Sequence, residues 1–268
     1  MVRLSDWWQT RILEQERLRF SAGDWEQAWA SLPLLRNLGS AETERLADLA
    51  LLFLRDKSLE PAQGLLLTAP MRLMIALQAC LPVLELGLDW YRGWYAVILY
   101  PDAFVPAREV MDEDGLVWLD NEAKSGEAWE QGPVILSWAD VEAGLELDGY
   151  NVVIHELAHK LDMRDGVANG CPPLHDDMSA VAWKAAFSRA YDALCRQVDA
   201  DEETVIDPYA AESPAEFFAV VSESFFEVSA LLVSEYPDVY AQLRAFYRQD
   251  PLRRHGSGEP ACRFVPGR

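Results

Sequence analysis

The chain has 268 residues, half of them apolar and a quarter charged, with ten tryptophans. That composition fits a folded globular protein of one large domain or two small ones, and excludes a disordered or fibrous chain. A formal net charge of −21 argues against direct nucleic-acid binding, which needs a basic surface facing phosphate.

The same acidity serves either to draw in a cationic group, such as a peptide α-amine, or simply to solubilise the surface. Residues 5–20 predict a helix; the opening Met-Val-Arg-Leu-Ser-Asp-Trp-Trp lacks the apolar core of a signal segment. Residues 24–38 carry Trp and Leu and are interrupted by Pro33. Ser40 reads as the cap of a helix over 41–56, whose Leu46, Leu49, Ala50 and Phe53 share one face. Leu65–Thr68 reads as a short strand, and Pro70–Cys80 as a helix with Pro in its first position. The apolar run Leu81–Leu88 is broken by Pro82, Glu85 and Gly87, so it is no membrane span. Cys80, Cys171, Cys195 and Cys262 are scattered, with no C-x-x-C pair. The expectation is a cytoplasmic protein with reduced thiols.

Between 94 and 138 the period shortens. Trp94–Tyr100, Phe104–Val110, Leu116–Asp120 and Val134–Trp138 read as strands of a small, mostly antiparallel sheet. Val134–Trp138 is either an edge strand able to take up substrate by strand addition or an ordinary interior strand.

Asn151–Met163, N-V-V-I-H-E-L-A-H-K-L-D-M, is the most informative stretch. It lacks Gly and Pro, and Val153, Ile154, Leu157, Ala158 and Leu161 recur at helical spacing. His155 and His159, four apart, lie on one helix face, where two imidazoles can hold one zinc ion at about 2.0–2.1 Å each. Glu156, between them, is placed to reach a water in the metal's open position. This is the H-E-x-x-H arrangement of zinc peptidases, and chance produces it on the order of one per cent of the time in a chain of this length.

Arg164–Asp177 reads as a loop, 178–197 as a helix, Asp199–Glu203 as an acidic break and Ile206–Ala211 as a turn. Helices follow from Pro214 to about Val228 and over 238–248, then a Gly/Pro/Arg tail. The whole is α+β and mainly helical, with a zincin-like core at 91–255, a helical N-terminal region at 1–90 packed on it, and a flexible tail at 256–268.

A catalytic zinc site takes three protein ligands. Asp165 stands ten residues after His155, where extended H-E-x-x-H patterns place their third ligand, but Asp162 occupies the position those patterns give to Gly. His175 lies in the following loop. Glu216 and Glu223, seven apart, share a helix face. Glu216 is thus either the third ligand or the N3 member of a capping box, Ser213-Pro214-Ala215-Glu216. Glu223 is either an acceptor for an imidazole N–H or a solvated glutamate. Asp162 is either such an acceptor for His159 or a polar helix end.

His155–Met163, followed by Asp207-Pro208-Tyr209-Ala210-Ala211-Glu212-Ser213-Pro214-Ala215-Glu216-Phe217-Phe218, resembles the Mlc titration factor A family of bacterial zinc peptidases. The closing Phe246–Pro251 and the Trp- and Leu-rich start fit as well, so the resemblance covers about 20–255. The same arrangement is similar to the catalytic domain of anthrax lethal factor, with a Tyr seven residues before the ligand Glu. The resemblance implies one Zn²⁺ held by His155, His159 and Glu216, with Glu156 as general base. It implies that Tyr209 donates a hydrogen bond to the tetrahedral intermediate. Glu212 replaces what is often Thr, Ser or Asp and is not a ligand. Also implied are aminopeptidase-like action on short peptides and binding of a transcriptional repressor of the Mlc type. A non-catalytic repressor-sequestering protein with a vestigial or regulatory zinc site is the competing reading. An intact Glu156 favours catalysis, because a structural zinc needs only ligands.

Overall fold

The computed structural model describes residues 4–103, 108–111, 117–120, 126–128 and 132–256. Local capping chemistry sets the first helices, α1 (Leu4–Arg17), α2 (Ala22–Ala30) and α3 (Ser40–Asp56). Ser21 and Asp24 cap α2 reciprocally. At α3 the cap residue is Gly39, whose amide donates to Glu42 at 3.0 Å, so Ser40 is the first helical residue and not the cap. On the expected apolar face of α3, Leu46, Ala50 and Phe53 are fully buried and Leu49 partly so.

The chain continues into β1 (Ser58–Pro61) and, past a Thr68 cap, α4 (Ala69–Cys80). Leu65–Thr68 is the linker between them and not a strand. Next come β2 (Ala96–Tyr100), β3 (Arg108–Met111), β4 (Val117–Asp120), β5 (Gly126–Ala128) and β6 (Val134–Ser137). The main sheet has the order β1-β2-β6-β5. β1 pairs parallel to β2, and β2 parallel to β6; only β5 runs antiparallel, against β6. β3 and β4 form a separate antiparallel pair.

The expected mostly antiparallel sheet is therefore corrected: three of its four strands, β1, β2 and β6, are parallel. The cause is connectivity. β1 lies before α4, and a strand–helix–strand crossover brings the chain back parallel. β2 and β6 are likewise not consecutive in the chain, since β3, β4 and β5 lie between them. β6 is an interior strand, paired on both sides and buried at all four positions, which rules out the edge reading. Trp138 is not strand; it opens α5 (Trp138–Ala143), which Ser137 caps.

The remaining helices are α6 (Val152–Asp162), α7 (Ala180–Asp199), α8 (Pro214–Glu227), α9 (Ser229–Glu235), α10 (Pro237–Tyr247) and α11 (Pro251–Gly256). One hydrophobic cluster runs from Phe20 to Tyr247. α6 sits inside it, with Val153, Ile154, Leu157, Ala158 and Leu161 all buried, and packs on α8 and α4. On another side of α6, buried Lys160 donates to the Gly132 carbonyl at 2.9 Å and lies 5.2 Å from the Trp94 ring centre, tying α6 to the chain entering β6. The ring of Trp183 on α7 stacks on Phe187 at 4.2 Å.

Among the described residues no helix is long and apolar enough to cross a membrane. Cys80, Cys171 and Cys195 are free thiols. Residues 104–107 of one expected strand, and the tail from 257, lie outside the described residues.

Candidate metal centre

The backbone of α6 brings His155 and His159 together as their spacing requires. Their Nε2 atoms are 3.2 Å apart. The first turn of α8 contributes Glu216, whose Oε2 lies 3.0 Å from Nε2 of His155 and 3.3 Å from Nε2 of His159. Three donor atoms on two helices thus surround one point. Donors about 2.0–2.1 Å from an ion in tetrahedral array stand about 3.3–3.4 Å from one another. The observed separations match that requirement, so the residues fit a small tetrahedral cation with little movement.

Glu216 does not close a capping box. Ser213 Oγ accepts from the Glu216 amide at 3.2 Å, as an N-cap should, but the Glu216 carboxylate turns to the imidazoles. Burial opposes its ionisation, yet contact with both histidines holds its carboxyl far below the usual carboxylate range.

Behind His155 stands Glu223, 2% exposed, whose Oε1 accepts from Nδ1–H of that ring at 2.8 Å. That bond fixes the tautomer and leaves the Nε2 lone pair facing the site. Glu223 is therefore a buried imidazole partner and not a solvated glutamate. Burial works against a charge on His155, but Glu223 and Glu216 outweigh it and raise its pKa. The carboxylates thus make this point of the fold favourable for a positive charge.

Glu156, 4% exposed, sits between the two histidines. Among the described residues, its Oε2 has no hydrogen-bond partner. Burial pushes its carboxyl up to about 7, against the pull of His155 and His159. Tyr209 is 47% exposed in a short 3₁₀ turn, Pro208–Ala211, with its ring centre 6.2 Å from that of His155.

The other candidates lie elsewhere. Asp165 is exposed and outside the cluster. His175 contacts the Phe246 carbonyl at 2.8 Å and stacks edge-on with Trp90. Asp162 does not serve His159; its carboxylate accepts the backbone amides of Asn169, Gly170 and Cys171 at 2.7, 2.7 and 3.0 Å.

Asn151 was missed by sequence reasoning. Its side chain caps α6 by accepting from the Ile154 amide at 3.0 Å. Its amide N–H donates to Glu223, and its Nδ2 donates to Glu227 and to Gln78, both at 2.9 Å. One residue therefore locks α6 to α8 and α4. Burial pushes the Glu227 carboxyl up to about 8. A signal existed: Glu216, Glu223 and Glu227 form a carboxylate stripe on a mainly apolar helix.

The profile of the glucose-regulated metallo-peptidase M90 family matches residues 4–248. Mlc titration factor A of Yersinia pestis (strain Pestoides F) is 43% identical over 233 residues, 86% of each chain. The protein of that name from Yersinia pseudotuberculosis serotype O:1b (strain IP 31758) is similar to the same extent.

Proposed function

The chain belongs to the glucose-regulated metallo-peptidase M90 family, and from that premise we propose that it is a zinc-dependent peptidase acting on short peptides, with aminopeptidase-like preference. The convergence of His155, His159 and Glu216 on one point supports this reading most directly. These three residues would hold the ion. Bound Zn²⁺ supplies a Lewis acid that lowers the pKa of a water toward about 7 and polarises a carbonyl.

The chain's own groups do the rest. Glu156 takes the proton of the attacking water and passes it to the leaving amine. Its buried Oε2, without a hydrogen-bond partner among the described residues, suits that exchange. The Tyr209 hydroxyl donates to the oxyanion that develops on the substrate carbonyl. Glu223 keeps the His155 ring oriented throughout. The expected setting is the cytoplasm.

A second reading rests on the relatives' name. Proteins called Mlc titration factor A are named for that repressor, and this chain is 43% identical to them. We infer that it also engages a transcriptional repressor of the Mlc type. Hydrolysis of chromogenic aminoacyl substrates, with a chelator and after Zn²⁺ is restored, separates the readings. Turnover that the chelator abolishes and Zn²⁺ restores is expected. Repressor binding that survives the chelator, with no hydrolysis under any condition, would leave only the sequestering role.

A further inference from the structure

We propose that Asp162 is a positioning residue for Glu216, acting through the loop that follows the metal helix. The inference rests on the metal-site reading above. Asp162 is fully buried at the end of α6, and all of its described hydrogen bonds go to the loop amides of Asn169, Gly170 and Cys171. Hydrogen bonds from backbone N–H groups to a carboxylate are roughly twice as strong as neutral ones, and three of them fix the loop's path here.

The loop is held from a second side. Trp183 Nε1 on α7 donates to the Gly170 carbonyl at 3.1 Å. It is pressed against a third element. A Cβ at Gly170 would lie 2.3 Å from the Pro214 carbonyl oxygen, and Gly170 has φ +79°, a left-handed conformation that favours glycine. Asp162, Trp183 and Pro214 therefore tie α6, α7 and α8 together at one residue. Pro214 is the first residue of α8, and Glu216 stands two residues further on. Pro214 and Glu216 share the first turn of one helix, so a displacement of Pro214 carries the Glu216 backbone, and with it the carboxylate, relative to the imidazoles. Asp162 is close to the site in the chain, yet it acts on the ligand carried by the other helix.

The test is a double-mutant cycle on Zn²⁺ affinity, measured by competition with a chromogenic chelator. Four full-length proteins are compared: wild type, Asp162→Asn, Glu216→Ala and the double variant. Asp162→Asn keeps the shape but places an NH₂ against amide donors. It is expected to weaken Zn²⁺ binding about 10-fold or more, in the range seen when outer partners of ligands are changed. In the Glu216→Ala background the same change is expected to cost less than about 2-fold, because the group it positions is gone. Equal weakening in both backgrounds, or wild-type affinity in Asp162→Asn, would overturn the proposal. Wild-type affinity in Glu216→Ala would instead overturn the ligand assignment, and this inference with it. Should Asp162→Asn not fold, Asp162→Glu enters the same cycle; it keeps a carboxylate but displaces it by one methylene from the three loop amides, and the same outcomes decide.

Discussion

Glu156 and Glu227 are both buried glutamates of raised pKa, and their surroundings give them opposite tasks. Glu156 Oε2 has no hydrogen-bond partner among the described residues, and both histidines pull on its charge. Glu156→Gln is expected to retain one Zn²⁺ per chain and lose at least about 10²-fold in kcat, the usual size of a general-base contribution. Metal analysis beside steady-state kinetics checks both halves. Glu227 accepts from the Asn151 side chain and the Gly149 amide. Its carboxyl titrates near 8 in the folded chain and near 4.5 when unfolded. Between those values the unfolded state has released a proton that the native state keeps. The contribution of Glu227 is thus whole below about pH 4.5 and is lost as pH rises through 8. Thermal unfolding followed from pH 5 to 8 is expected to show a falling midpoint. In Glu227→Gln, which cannot ionise, that fall is expected to be smaller.

At the scale of elements, α8 does two jobs with one short sequence. Ser213 caps it through the Glu216 amide while the Glu216 carboxylate turns to the two imidazoles. Ser213→Ala is expected to lower unfolding free energy by about 1 kcal/mol, the common cost of a lost N-cap. Denaturant titration reads that loss, and Zn²⁺ stoichiometry is expected to stay at one. This double use explains why the sequence left Glu216 open between ligand and cap: the backbone half of the motif is real, and only the carboxylate departs from it. The helix bearing His155 and His159 was legible because spacing alone places both rings on one face. The strand pairing was not. Alternation and apolar runs mark Ala96–Tyr100 and Val134–Ser137 as strands but say nothing of partners. Ser58–Pro61, which buries only Leu59, carried too weak a signal to announce a parallel neighbour. Asn151 was hidden for a similar reason. A polar residue before an apolar run reads as a helix cap, and its carboxylate partners stand 72 and 76 residues further along.

Over the whole molecule, one core joins the N-terminal helices to those that carry the site. β1, from the N-terminal stretch, extends the sheet that ends next to α6. The three donor groups are held by that shared interior and not by a local loop. His155 and Glu216 are 61 residues apart in sequence. An ion gripped by both therefore acts as a rivet through the tertiary structure, since the unfolded chain offers no such grip. Its binding energy becomes folding energy, about 2.7 kcal/mol when free ion stands at 100 times the dissociation constant. In a buffered Zn²⁺ series the melting midpoint is expected to climb with the logarithm of free ion, and to stay flat in His155→Ala. Heat alone would then report how full the site is, with no substrate in the tube.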